Sequence, residues 1–331
     1  MPAQSKNPLV MLGNAARLID LIRREKVSLV HARSRAPAFS ALWAAHATKT
    51  PFVATYHGVY NAKSNLKRWY NAVMTKGDLV IANSEYTRQH VIQEHGIPPE
   101  KVVAIPRGVD LSRFEPGMVG CDRVKALAEA WGVASDERRL KVLLAGRLTR
   151  WKGQALLIEA MSLLKARGED RVLLLLAGDD QGRKGYRTEL TDAIAAAGLE
   201  DSVKLVGHCD DMPAAYLLAD LAIAPSLEPE AFGRTAVEPQ VMGRPVMAAD
   251  HGATRETVLP GETGWLVRPG DAEAWAQALL EACEAGAARR QIMGQAARAR
   301  ARRLYSVDAM CEATLDVYAR VLRARTTEHS S

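Results

Sequence analysis

Short apolar runs alternate with longer stretches of helical spacing along nearly the whole chain. Apolar side chains at Leu12, Ala16, Leu18, Ile19 and Ile22 predict a helix over 9–26. Residues 27–31, 51–56, 78–82 and 102–105 read as strands. Helices are predicted over 36–47, 65–74 and 84–94, with Ser84 as a cap and Gly96 as the stop. The second half repeats the rhythm. Strands are predicted at 140–145, 171–177, 203–207 and 219–224, and in 243–248 after a turn. Between and after them, helices are predicted over 122–131, 154–165, 186–197, 214–218, 271–284, 288–303 and 310–322. Apolar strands alternating with helices argue for the α/β class, parallel sheets with helices on both faces. The connector 114–120, with Pro116, Gly117 and Gly120, suggests a division into 1–119, 120–305 and a closing helical segment 306–331.

Three places carry candidate chemistry. After the strand ending near Ala224 comes Ser226-Leu227-Glu228-Pro229-Glu230-Ala231-Phe232-Gly233-Arg234, leading into a helix that holds Glu238. Backbone amides at such a start can hold a phosphate. If the segment were wholly helical, Glu230 and Glu238 would lie about 12 Å apart. That is too far to grip one atom, but far enough to reach both ends of a ligand with hydroxyls flanking phosphates. A helix start merely decorated with acids would look similar.

A second motif, Gly146-Arg147-Leu148-Thr149-Arg150-Trp151-Lys152-Gly153, ends the first strand of the second sheet. Arg147 and Lys152 bring two cations to that strand end, where a diphosphate would gain charge-assisted bonds. Cations at a helix start oppose the helix dipole, so a purely structural role explains them poorly. The third is His57-Gly58, at a strand's carboxyl end, where open parallel sheets place ligands.

Together these motifs resemble glycosyltransferase family four, retaining, nucleotide-sugar-dependent enzymes of the GT-B fold. The resemblance implies two Rossmann-like domains facing a cleft, closing over it to exclude water. It implies a catalytic set of His57, Glu230, Arg147 and Lys152. The donor would be held by Gly146, Arg147, Lys152, Gly178, His208, Phe232, Gly233, Arg234 and Glu238. In that set Glu230 accepts from donor-sugar hydroxyls, Glu238 from ribose hydroxyls, and the loop 208–213 cradles the base. No cofactor and no metal is expected, Arg147 and Lys152 serving in a metal's place. Residues 106–110 match the family's Pro-Asn-Gly-Val-Asp except that Arg107 replaces Asn, where it reaches phosphate or lies on the surface. Residues 261–267 resemble the family's small hairpin. The family's opening strand, Gly-rich loop, long helix and second strand have no counterpart, so the first domain is expected to be incomplete and Met1 internal to a longer reading frame.

Composition narrows this reading little. The net charge of +6 suits an anionic substrate or peripheral contact with an anionic inner-membrane surface, and nucleic acid is not expected. Arg289, Arg290, Arg298, Arg300, Arg302 and Arg303 read as a solvated helix face. The four scattered cysteines read as free thiols in a reducing compartment, and no apolar run approaches a bilayer span, giving a cytoplasmic expectation. The function the resemblance implies is hexose transfer from a UDP- or GDP-linked donor to a glycan or lipid-linked acceptor in lipopolysaccharide or envelope polysaccharide synthesis. Rivals are a nucleotide-sugar epimerase of related fold and an inactive scaffold. A nicotinamide dehydrogenase is disfavoured, since no Gly-x-Gly-x-x-Gly follows an early strand.

Overall fold

The computed structural model describes residues 1–60, 63–182 and 184–328, with side chains to residue 325. It divides into two compact units, Met1–Gly108 with the chain from Asp308 onward, and Val109–Val307.

The first unit holds a four-stranded parallel sheet of β1 (Val30–Ala32), β2 (Phe52–Tyr56), β3 (Leu79–Ala82) and β4 (Val102–Ala104), in that order. Helices Pro8–Arg24, Arg35–Thr48, Asn65–Ala72 and Glu85–His95 precede or connect the strands, and the closing helix Val307–Glu328 completes the unit. Successive residues of a strand face opposite ways. Phe52, Ala54 and Tyr56 accordingly join the core with Phe39, Leu42 and Val91. Val53, Leu79 and Ile81 instead pack with Val317 and Val321 of the closing helix. Both faces are buried, which is why these strands read as unbroken apolar runs. Ser84 does cap its helix, accepting from the Thr87 N–H at 3.0 Å.

The second unit holds a six-stranded parallel sheet of β5 (Leu140–Ala145), β6 (Val172–Ala177), β7 (Val203–Gly207), β8 (Leu221–Ala224), β9 (Val246–Ala249) and β10 (Gly264–Val267). Its order is β10-β9-β8-β5-β6-β7. The chain steps outward from β5 to β7, then returns to lay β8 on the other side of β5. The β5/β8 junction is therefore the point where strand order reverses, the usual ligand position in such sheets.

Three expectations need correction. Residues 261–267 form no hairpin: β10 is a parallel edge strand on β9. Gly264 lies so close to β9 that a Cβ there would fall 1.8 Å from the Val246 carbonyl oxygen. The division between units comes after Gly108, not after residue 119, because the supposed connector is built into the second unit. The Val109 N–H donates to the Tyr305 carbonyl at 2.7 Å, and Phe114 is buried beside Trp131 and Tyr216. The arginine-rich helix Gly286–Leu304 is not a merely solvated face. Arg298 and Arg302 both bind Glu115, at 2.6 and 2.7 Å, while Arg300 donates to the Glu256 carbonyl at 2.7 Å.

Candidate functional site

The loops leaving β5 and β8 are locked together. Gly153 has φ +82°, and a Cβ on it would fall 2.3 Å from the Pro225 carbonyl oxygen, so only glycine allows the approach. The Leu227 N–H donates to the Trp151 carbonyl at 2.7 Å. Gln154, fully buried, donates from Nε2 to the Arg147 carbonyl at 3.0 Å and holds the first loop from beneath. Gly178, at the end of β6, closes the other side, its α-carbon packed against the Gly146 carbonyl.

This scaffold brings Lys152 to Glu230. The ammonium lies 2.5 Å from Glu230 Oε1, with both side chains only 12% exposed. Ser226 Oγ donates to the same oxygen at 2.6 Å, and the ammonium sits 4.3 Å from the centre of the Trp151 ring. The Glu230 backbone is fixed too, its carbonyl accepting from the Ala253 N–H at 3.0 Å. Arg147 is exposed and, among the described residues, makes one long contact, 3.5 Å to Gln181 Oε1, so most of its fork of donors stays available to an anion.

Gly233, with φ +77°, opens the helix Arg234–Val241. Phe232 turns its ring inward against Tyr305, so only its backbone can meet a ligand. One turn into the helix, Glu238 is 7% exposed and accepts from Arg234 at 2.6 Å and from the Tyr216 hydroxyl at 3.2 Å. Burial first, and the Glu238 charge second, push the Tyr216 hydroxyl well above its ordinary pKa, so it remains a donor. His208 is exposed and pairs with Asp210 Oδ1 at 2.9 Å. Gly146, Gly178, Lys152, Glu230 and Gly233 thus form a connected group, with Glu238 further along the helix. Ser226, Trp151 and Tyr216 were not foreseen as supports. Ser226 lies four residues before Glu230, a faint signal, whereas Tyr216 carries none.

His57, the remaining candidate, lies in the first unit beside a cavity of about 410 Å³. Its walls include His31, Thr55, Asn83 and Arg107 from the strand ends and Met310 and Tyr318 from the closing helix. His31 joins the two walls: Nδ1 is 2.6 Å from the Tyr318 hydroxyl and Nε2 is 2.7 Å from Thr55 Oγ1. Arg107 donates to His57 Nδ1 at 3.1 Å. Burial, aided by Arg33, lowers His31 to a pKa of about 4. Burial, then Arg107, Arg33 and His31, lower His57 to about 4.

These shifts carry a stability consequence. Between pH 6.5 and 4 the unfolded chain takes up protons at both rings that the folded chain refuses, so stability falls with pH across that window. His90 and His95, lowered mainly by burial, act in the same direction. Allowing for solvent access, each of the two cavity rings is expected to contribute roughly 1–2 kcal/mol. Urea denaturation at pH 7 and pH 5 checks this, and the loss should shrink in His31→Gln.

Known proteins match both units. The model for "Glycosyl transferases group 1" matches residues 128–300, and that for "Glycosyltransferase Family 4" matches residues 1–113. The D-inositol 3-phosphate glycosyltransferase of Salinispora tropica is 31% identical over 264 residues, 78% of this chain and 54% of its own. That of Kineococcus radiotolerans is 33% identical over 273 residues, covering 78% and 61%. This chain therefore spans roughly half to three-fifths of these relatives' length. Among solved structures, a glycosyltransferase from Rickettsia africae superposes with TM-score 0.89 at 34% identity, covering 97% of this chain and 84% of that one. HepE of Anabaena, solved with UDP, gives TM-score 0.82 at 26% identity over 92% and 81%. Two parallel-sheet α/β units with these neighbours are the GT-B fold.

Proposed function

We propose, from the premise that this chain belongs to the glycosyl transferases group 1, that it moves a hexose from a UDP- or GDP-linked donor to an acceptor hydroxyl with retention of configuration. The observation carrying this reading is the Lys152–Glu230–Ser226 cluster at the β5/β8 reversal, with the Gly233 helix start beside it and Glu238 one turn on. HepE, a structural neighbour, has been solved with UDP and with UDP-glucose.

In this reading Arg147 and Lys152 bind the diphosphate, and Glu230 and Glu238 accept from sugar and ribose hydroxyls respectively. The bond between the anomeric carbon and the phosphate oxygen breaks, leaving an oxocarbenium-like centre. The acceptor oxygen bonds to the same face, and its proton passes to the departing phosphate oxygen. Charge grows on that oxygen in the transition state, where fixed cations lower the barrier most. His57 positions a hydroxyl, and neither it nor Glu230 needs to act as a nucleophile.

The acceptor assigned is a glycan or lipid-linked hydroxyl of envelope or lipopolysaccharide synthesis, met by a cytoplasmic protein at an anionic membrane surface. No described helix is long and apolar enough to cross a membrane. Exposed Leu66 and Trp69, with Lys67 and Arg68 between them on the helix Asn65–Ala72, suit such a surface. A phosphorylated polyol is a second acceptor reading, favoured by Arg33 and Arg107 at the cavity of the first unit and by the relatives' names.

Metal-free calorimetry with UDP- and GDP-linked hexoses tests the donor site. One of the two bases is expected to bind, and Glu238→Ala to weaken that binding about 10- to 100-fold, the worth of hydrogen bonds to a charged group. Silence from folded protein would overturn the reading. A donor epimerised with no sugar transferred would favour the epimerase.

A further inference from the structure

We propose that Arg107 is a positioning residue that fixes His57 in the tautomer carrying its proton on Nε2, so that His57 enters the site as a hydrogen-bond donor and not as a base. The inference rests on the transferase reading only for its consequence; the tautomer itself follows from geometry. A guanidinium has donors and no acceptor, and it keeps its proton in proteins. With Arg107 Nη2 3.1 Å from His57 Nδ1, that nitrogen must supply a lone pair. The ring then has one nitrogen left for its proton, Nε2.

The surroundings hold this state. Charged and titratable groups face the ring from each neighbouring element: Arg107 beyond β4, Arg33 and His31 at the end of β1, and Cys311 and Tyr318 on the closing helix. None of them is a carboxylate that would favour an imidazolium. Burial and the two arginines oppose protonation together. The backbone of His57 is fixed as well, its carbonyl accepting from Asn83 Nδ2 at 3.1 Å.

Asn83 is 3% exposed, lines the cavity, and its Oδ1 has no hydrogen-bond partner among the described residues. A donor-only histidine at the cavity suits a hydroxyl oxygen, which accepts from it. His57 is thereby excluded from taking a hydroxyl's proton.

Long-range proton–nitrogen spectra of histidine-labelled protein test this, with His57→Gln assigning the signals. The wild type is expected to show His57 protonated on Nε2 alone at pH 7 and titrating well below pH 6. Arg107→Met should give a mixture of tautomers and an upward-shifted titration of the ring. Arg107→Lys, which restores a donor, should recover the Nε2 tautomer in part. A wild-type proton on Nδ1, or an unchanged tautomer in Arg107→Met, would overturn the proposal. The wild-type spectrum decides even where a variant fails to fold. Because the spectrum needs no turnover, absent transfer with the Nε2 tautomer present would count against the transferase reading alone.

Discussion

Lys152→Met is expected to lower kcat/KM for sugar transfer about 10²- to 10³-fold, the usual cost of removing one fixed group that stabilises transition-state charge. Two effects combine. The ammonium is held deep in the site, at 12% exposure and 2.5 Å from Glu230, whereas Arg147 is exposed. In the proposed mechanism, its loss withdraws positive charge from where the leaving diphosphate gathers negative charge. It also leaves the Glu230 carboxylate with the Ser226 hydroxyl as its remaining side-chain partner among the described residues, so its buried charge is left largely uncompensated. The second effect can be separated by a double-mutant cycle with Glu230→Gln, which removes the stranded charge. Stability should recover in the double variant, while turnover should not. A Lys152→Met protein that transfers sugar within about threefold of wild type would remove Lys152 from the catalytic set.

The second large effect is structural. Gly178→Ala is expected to destabilise the second unit by about 2–4 kcal/mol, at or above the upper range for overpacking a tight contact. The new methyl would fall 1.8 Å from the Gly146 carbonyl oxygen and 3.4 Å from the Arg147 α-carbon. A backbone atom cannot swing aside as a side chain end can. The β5 and β6 ends must part, carrying Arg147 with them, so donor affinity should fall along with the denaturation midpoint. Gly185→Ala is the matched control. It lies in the helix Lys184–Ala196 with nothing within 4 Å of the added carbon, and should be neutral or stabilising. Equal denaturation midpoints for the two variants would show that the β5–β6 approach is not tight.

The elements and the motif chemistry were legible in the sequence for a definite reason. In a strand such as β6, Val172–Ala177, every residue is buried, so the apolar run is continuous and its ends are plain. Glycines and charged residues clustered at the ends of those runs marked where the chain turns and where charged groups collect. What was not legible depends on partners distant in sequence. Thr263-Gly264 looks like a hairpin turn until β9 is placed beside it. The arginines after Gly286 look solvated until Glu115 meets them. His31 is an ordinary strand-end residue until Tyr318, on the last helix, closes over it.

From its amino acids alone, then, the chain determines its alternation of strand and helix, and which loops hold cations, carboxylates and close-approach glycines. Those properties are local, set by side-chain period, backbone freedom and charge within a few residues. The tertiary structure decided which of those groups act on one another: Lys152 with Glu230 across the β5/β8 reversal, Tyr216 with Glu238, Arg107 with His57. Such pairings are decided by strand order and sheet register. Strand order and register come from burying the whole set of apolar faces at once, and no short stretch of sequence encodes that.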